Sequence, residues 1–236
     1  MAKIFITGSA DGLGRLAAKQ LIEVGHEAVL HARNAERGEQ ALKSTPGASG
    51  VLVGDLSDIE ATKVLAEKAN TKGTFDAVIH NAGVYQANSR QLLHVNTLAP
   101  YILTALMHRP KRLIYLSSGM HLSGKPEWTE RPSYSDTKLH IVMLAKALAR
   151  KWPEVYANAL DPGWVPTKMG GAGAPDNLEQ GYQTQVWLAV SNEPGALVSG
   201  QYFHHQKLAR YNHSADDIYR QDMLLAECSR LTGVII

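Results

Sequence analysis

The sequence predicts an α/β fold: one doubly wound domain in which a seven-stranded parallel sheet carries helices on both faces. Three observations lead to it. Short β-branched runs alternate with longer helical patterns over residues 1–203. The strand runs are almost continuously apolar, as strands covered on both faces must be. The first strand also turns into a helix through a glycine-rich stretch, TGSADGLG.

In chain order the candidate strands are KIFIT (3–7), EAVLHA (27–32), GVLVG (50–54), FDAVIH (75–80), RLIYLS (112–117), EVYANAL (154–160) and SGQYF (199–203). Helical patterns fall between them at 12–24, 34–43, 57–70, 88–108, 134–151 and 176–190. Helical crossovers between successive strands make those strands parallel. Two Gly/Pro-rich stretches, 119–133 and 165–177, follow strand ends, where a doubly wound sheet borders its ligand crevice. The glycines of 168–177 suit a lid. In the tail, Ser214 with Asp217 three places on reads as a helix start and Gly233 as its stop.

Composition narrows the function classes. The 236 residues are 44% hydrophobic and 19% charged with a net charge of +2, which gives no argument for nucleic acid or an acidic membrane surface. No apolar run approaches about 18 residues, so no membrane span is expected. The opening MAKIFITG reads as a strand rather than a secretory signal. A lone Cys228 cannot form an internal disulfide, and a cytoplasmic location is the expectation. The ten histidines show no ligand spacing, so no metal is expected.

Two features carry chemistry. Gly8, Gly12 and Gly14 sit where the first strand becomes a helix; backbone without a Cβ can approach a pyrophosphate there, and the first-turn N–H groups attract an anion. Tyr134 and Lys138 stand four residues apart, one helical turn, on one face. An ammonium about 5 Å from a phenol, at an effective dielectric near 20, is worth roughly 3 kcal/mol, or about 2 pKa units toward phenolate.

The spacing T-G-x-x-x-G-x-G resembles that of the classical short-chain dehydrogenase/reductase family, and further family tags follow in order. GDLSD supplies Asp55 and Leu56; HNAG supplies Asn81, Ala82 and Gly83, with His80 in place of the family's first Asn. HVNTLAP supplies Asn96, YLSSG Ser118, YSDTK Tyr134 and Lys138, and DPGWVPT Pro162, Gly163, Trp164, Val165 and Thr167. SSGMH, YSDTKLH, PGWVPTKM and LLAECSRLTG are most similar to the retinol-dehydrogenase-like branch.

The resemblance implies a Rossmann-type domain that moves a hydride between a nicotinamide and a carbonyl or alcohol substrate. Gly8, Ser9, Asp11, Gly12, Leu13 and Gly14 would line the dinucleotide, Asp55 and Leu56 flank its adenine, and 162–167 cover its nicotinamide. Tyr134 would be the general acid and base. Lys138 would hold the nicotinamide ribose, Ser118 would bond the substrate oxygen, and Asn96 would hold a water that connects Lys138 to solvent. Ser117 should point to the other sheet face. Family members that prefer NAD carry an acid at the end of strand two; here Ala32 stands there with Arg33 beside it and Arg15 nearby, so NADP(H) is expected over NAD(H). Met120, Trp128, Tyr182 and Trp187 suggest an apolar or aromatic substrate. The surplus apolar surface on helices 88–108 and 134–151 suggests a homodimer through them. The alternatives are a catalytically silent NADP-binding regulator and an NADP-dependent lyase or epimerase using the same tyrosine.

Overall fold

A computed structural model describes residues 1–236. The seven expected strands form as β1 (Lys3–Ile6), β2 (Glu27–Ala32), β3 (Gly50–Val53), β4 (Ala77–His80), β5 (Arg112–Leu116), β6 (Tyr156–Asp161) and β7 (Tyr202–His204). An eighth, β8 (Lys207–Leu208), folds back antiparallel on β7. The seven-stranded expectation holds for the parallel part. The added strand follows a tight turn in which His205 and Gln206 take positive φ, a conformation uncommon outside glycine that a residue-type pattern does not single out here. The strand order is β3-β2-β1-β4-β5-β6-β7-β8. It reverses between β1 and β4, which opens a crevice at the carboxyl ends of the strands.

Alternation along each strand divides the core. Phe5, Val29, Val78, Leu113 and Ala157 face one side with α3 (Ile59–Asn70), α5 (Ala99–Leu106), α6 (Tyr134–Lys151) and α8 (Ile218–Thr232). Ile4, Ile6, Leu30, Ile79, Ile114 and Leu160 face the other, with α1 (Gly12–Glu23), α2 (Ala35–Ser44) and α7 (Leu178–Val190). No helix is long and apolar enough to cross a membrane.

The expected continuous helix 88–108 is interrupted. It runs as α4 (Ser89–Leu93), a π-helical turn (His94–Leu98) and α5. Pro100 has no N–H to give the carbonyl of Asn96, and the Ala99 N–H reaches back to His94 instead. The terminal helix starts on Asp217, whose carboxylate accepts from Tyr219 and Arg220, rather than on Ser214, which lies in a 3₁₀ turn (His213–Asp216). Gly233 ends it at φ 70°, as expected.

The apolar surplus on 88–108 and 134–151, from which a homodimer was expected, is buried within the chain. Leu224, Leu225 and Cys228 of α8 are buried in the same core layer as α6, and Tyr101 of α5 donates to the Val234 carbonyl at 2.8 Å. Leu139 through Ala145 of α6 are all buried within the one chain. The surplus apolar surface is covered by the chain's own tail.

Candidate active site

The glycine loop is built on backbone that only glycine adopts readily. Gly8 and Gly12 have φ of +65° and +53°. A Cβ on Gly14 would overlap the Asn81 amide and stand 2.8 Å from the Gly8 carbonyl. Asn81 donates to the carbonyls of Thr7 (2.9 Å) and Gly8 (3.2 Å), which ties the end of β4 to the loop across the crevice. His31 pins it from β2: the Gly8 N–H donates to Nδ1 at 2.9 Å, and Nε2 donates to the Gly54 carbonyl at 2.9 Å. Burial drives the His31 pKa down to about 4, so the ring is neutral in the tautomer both bonds require. Ser9 is fully buried, donating to Ile6 and accepting from His31 N–H; it braces the loop from below instead of lining the crevice. The first-turn N–H groups of Leu13 and Gly14 remain as donors at the crevice. This cradle fits a dinucleotide pyrophosphate.

Cations stand after β2 and around Asp11 at the end of the glycine loop. Arg33 is exposed and no carboxylate lies within ion-pair distance. Asp11 draws in three more: Lys168 at 2.5 Å, Arg37 at 3.7 Å and Arg15 at 3.8 Å. Arg37 and Lys168 escape a reading by motif because they arrive from the first turn of α2 and from the loop after β6. Asp55 spends its carboxylate on Ser57, and Leu56 enters the core.

At the other end of the crevice, Ser118 follows β5 and Tyr134 opens α6. Ser133 and Asp136 form a reciprocal capping box that fixes where the helix starts. Lys138 Nζ lies 5.5 Å from the centre of the Tyr134 ring, so the pair shares one helical face. Ser117 is buried and donates to the Lys138 carbonyl at 2.8 Å, whereas Ser118 is half-buried and its hydroxyl eases ionisation of the Tyr134 phenol. The Tyr85 ring meets that of Tyr134 edge-on at 4.8 Å and stands 40% exposed beside it.

Burial acts on this pair against the ionisation that their spacing suggests. Burial pushes the Tyr134 phenol up to about 12 and the Lys138 ammonium down to about 8. Desolvation penalises the charged form of each, and Nζ is turned to the Leu116 carbonyl at 2.9 Å. Asn96 also differs from expectation. Its two amide hydrogens go to the Val84 carbonyl (2.9 Å) and Thr137 Oγ1 (3.1 Å), and Oδ1 accepts from Val84 N–H at 2.8 Å. A water link toward Lys138 is left with one Oδ1 lone pair. Gly83 stays bare between them: a Cβ there would lie 3.3 Å from Nζ and 3.4 Å from Oδ1.

The family described as short chain dehydrogenase matches residues 2–177. The chain belongs to the short-chain dehydrogenase family. An uncharacterized oxidoreductase of Emericella nidulans is 46% identical over 99% of this chain and 98% of that protein. The short-chain dehydrogenase chry4 of Gibberella zeae is 40% identical with the same coverage. Retinol dehydrogenase 13 of Homo sapiens is 27% identical over 98% of this chain and 84% of its own. A crystal structure from Mycobacterium paratuberculosis superposes with a TM-score of 0.83 at 20% identity, covering 100% and 94% of the two chains.

Within this short-chain dehydrogenase the remaining expected residues separate. Val165 is buried, its methyl pressed on Gly181 of α7; Trp164 is 60% exposed and donates to the Gly170 carbonyl at 2.8 Å. Thr167 stands over Gly12, 3.9 Å from where a Cβ would be. Pro162 and Gly163 form the turn between β6 and this loop, and Asp161 accepts from the Gly163 N–H at 2.9 Å. Ala82 donates its N–H to Thr7 Oγ1 at 3.0 Å and backs Gly8. His80 is a buried neutral ring stacked on Tyr115, burial lowering its pKa to about 3. Of the residues taken for an apolar substrate wall, Trp187 packs on Phe203, Trp128 stacks on His140, and Tyr182 joins the far core layer. Met120, two residues past Ser118, is the one near the site; Tyr85 and Asp161 join it unforeseen.

Proposed function

We propose that the chain is an NADP(H)-dependent oxidoreductase acting on a carbonyl/alcohol pair, with Tyr134 as general acid and base. The observation that carries this reading is the placement of Tyr134, Ser118 and Lys138 around one end of a crevice whose other end is the glycine cradle. The bound nicotinamide supplies or accepts the hydride. Ser118 bonds the substrate oxygen and sets its angle, and Tyr134 gives that oxygen its proton in reduction and withdraws it in oxidation. Lys138, held by Leu116, offers its remaining N–H donors to the cofactor ribose and charge to the phenol. Tyr85 and Met120 border the substrate side.

The NADP preference rests on the exposed Arg33 directly after β2 and on the cations Arg15, Arg37 and Lys168 gathered around Asp11 in the glycine loop. Tyr134→Phe keeps the ring and removes the proton. It should cut kcat by at least about 100-fold with cofactor affinity little changed. Wild-type turnover in that variant defeats the role. Arg33→Asp should reverse or erase the cofactor preference in paired assays with NADP(H) and NAD(H).

A further inference from the structure

We propose that His31 is a positioning residue for the dinucleotide: with Asn81 it clamps one peptide plane, Thr7–Gly8, and so holds the glycine cradle in the conformation that takes a pyrophosphate. The clamp rests on the cofactor reading above and adds to it the buried side chain on which cofactor affinity depends.

The Gly8 N–H and the Thr7 carbonyl belong to the same peptide group, and in a trans peptide they point to opposite sides. The N–H donates to His31 Nδ1 on β2 at 2.9 Å, and the carbonyl accepts from Asn81 Nδ2, just past β4, at 2.9 Å. The plane is therefore held at both edges from the two strands that flank β1. Rotating it breaks both bonds together. Its setting matters because Gly8 stands at φ +65° with its own carbonyl against the first turn of α1, 2.8 Å from where a Cβ on Gly14 would be. The Leu13 and Gly14 N–H groups of that turn are the donors the cradle offers an anion, so a change at Gly8 is felt where the pyrophosphate binds.

His31 is itself fixed. Its ring is 3% exposed, meets Phe5 edge-on with centroids 6.4 Å apart, and gives its Nε2 proton to the Gly54 carbonyl at 2.9 Å. Its backbone N–H donates to Ser9 Oγ at 2.8 Å, one residue past Gly8. An amide N–H only donates and a carbonyl only accepts, so these partners select the tautomer with a bare Nδ1.

Amide side chains separate the two ring contacts. Asparagine places a carbonyl oxygen near the position of Nδ1 and nothing at Nε2. Glutamine reaches the position of Nε2 with an amide nitrogen and has no acceptor at Nδ1. His31→Asn thus keeps the bond to Gly8 and drops the one to Gly54, and His31→Gln does the reverse.

The test titrates NADPH, by nicotinamide fluorescence, into wild type, His31→Asn, His31→Gln and His31→Ala. Urea unfolding and Gly8 amide exchange by NMR are measured on the cofactor-free proteins. His31→Asn should stay within about threefold of wild-type affinity, whereas His31→Gln and His31→Ala should bind roughly tenfold more weakly, because an unclamped loop is competent only part of the time. Gly8 exchange should quicken in His31→Gln and His31→Ala and stay near wild type in His31→Asn. In urea, His31→Asn and His31→Gln should lose similar stability, since each lacks one buried hydrogen bond. A residue that merely supported the fold would weaken binding in step with stability, so equal affinities in His31→Asn and His31→Gln overturn the clamp. Wild-type affinity in His31→Gln does the same, as does Gly8 exchange that ignores the substitution. Where His31→Ala fails to fold, the two amide variants decide alone. Absence of saturable NADPH binding in wild type sinks the dinucleotide reading itself, whereas a wrong order among variants of a protein that binds defeats only the role of His31.

Discussion

Replacing Lys138 by methionine should change how stability depends on pH, and by an amount the structure sets. Lys138 is 5% exposed, and its pKa falls from 10.5 to about 8 on folding, chiefly through burial. A base depressed in this way penalises the fold whenever it is charged. The full penalty, 2.5 pKa units or about 3 kcal/mol, applies below pH 8 and is relieved as pH rises from 8 toward 10.5. Between about pH 7 and about pH 9.5, wild type should therefore gain about 2 kcal/mol relative to Lys138→Met. The buried tyrosines and Cys228 also titrate at high pH, but they are common to both proteins and cancel in the difference. Urea unfolding of the cofactor-free proteins at the two pH values measures it, with activity assayed alongside and expected to fall at least about 100-fold. Parallel stability changes in the two proteins would show that the ammonium is not paying a desolvation penalty in this site.

Three other outcomes follow from the geometry. Asp11→Asn frees Arg15, Arg37 and Lys168; if these cations meet an adenosine 2′-phosphate, as the NADP(H) proposal requires, fluorescence titration should show NADPH binding several-fold tighter, with NADH within about twofold. Gly14→Ala drives a methyl into the Asn81 amide and the Gly8 carbonyl, so it should cost roughly 1–3 kcal/mol in urea unfolding and abolish saturable cofactor binding. Because α8 covers α6, any self-association seen by sedimentation at micromolar concentration should be unaffected by substitution of the outward-facing Arg150 on α6, and a dimer dissociated by that change would mean that this helix is not covered as described.

The sequence by itself determined the sheet, its parallel strands and the crevice-lining tags, because each rests on short-range facts. Apolar runs of strand length, glycines at the one strand-to-helix turn and a tyrosine one turn before a lysine are all legible along the chain. Gly8, Gly14, Tyr134 and Lys138 could be named in advance for that reason, while Asn81, and Ser118 in preference to Ser117, were named through the family resemblance. What only the tertiary structure decided depends on groups that meet from distant segments. Burial is the largest influence on both Tyr134 and Lys138, raising the one and lowering the other, and how far each side chain is taken from water is something spacing cannot reveal. Asp11 meets Lys168 across the crevice, Asp161 reaches the catalytic wall from β6, and Tyr85 comes to rest on Tyr134; in each case the contact is made by the sheet's topology. The same holds for α8, whose apolar face fits α6 and occupies the surface that, read from sequence, called for a second subunit.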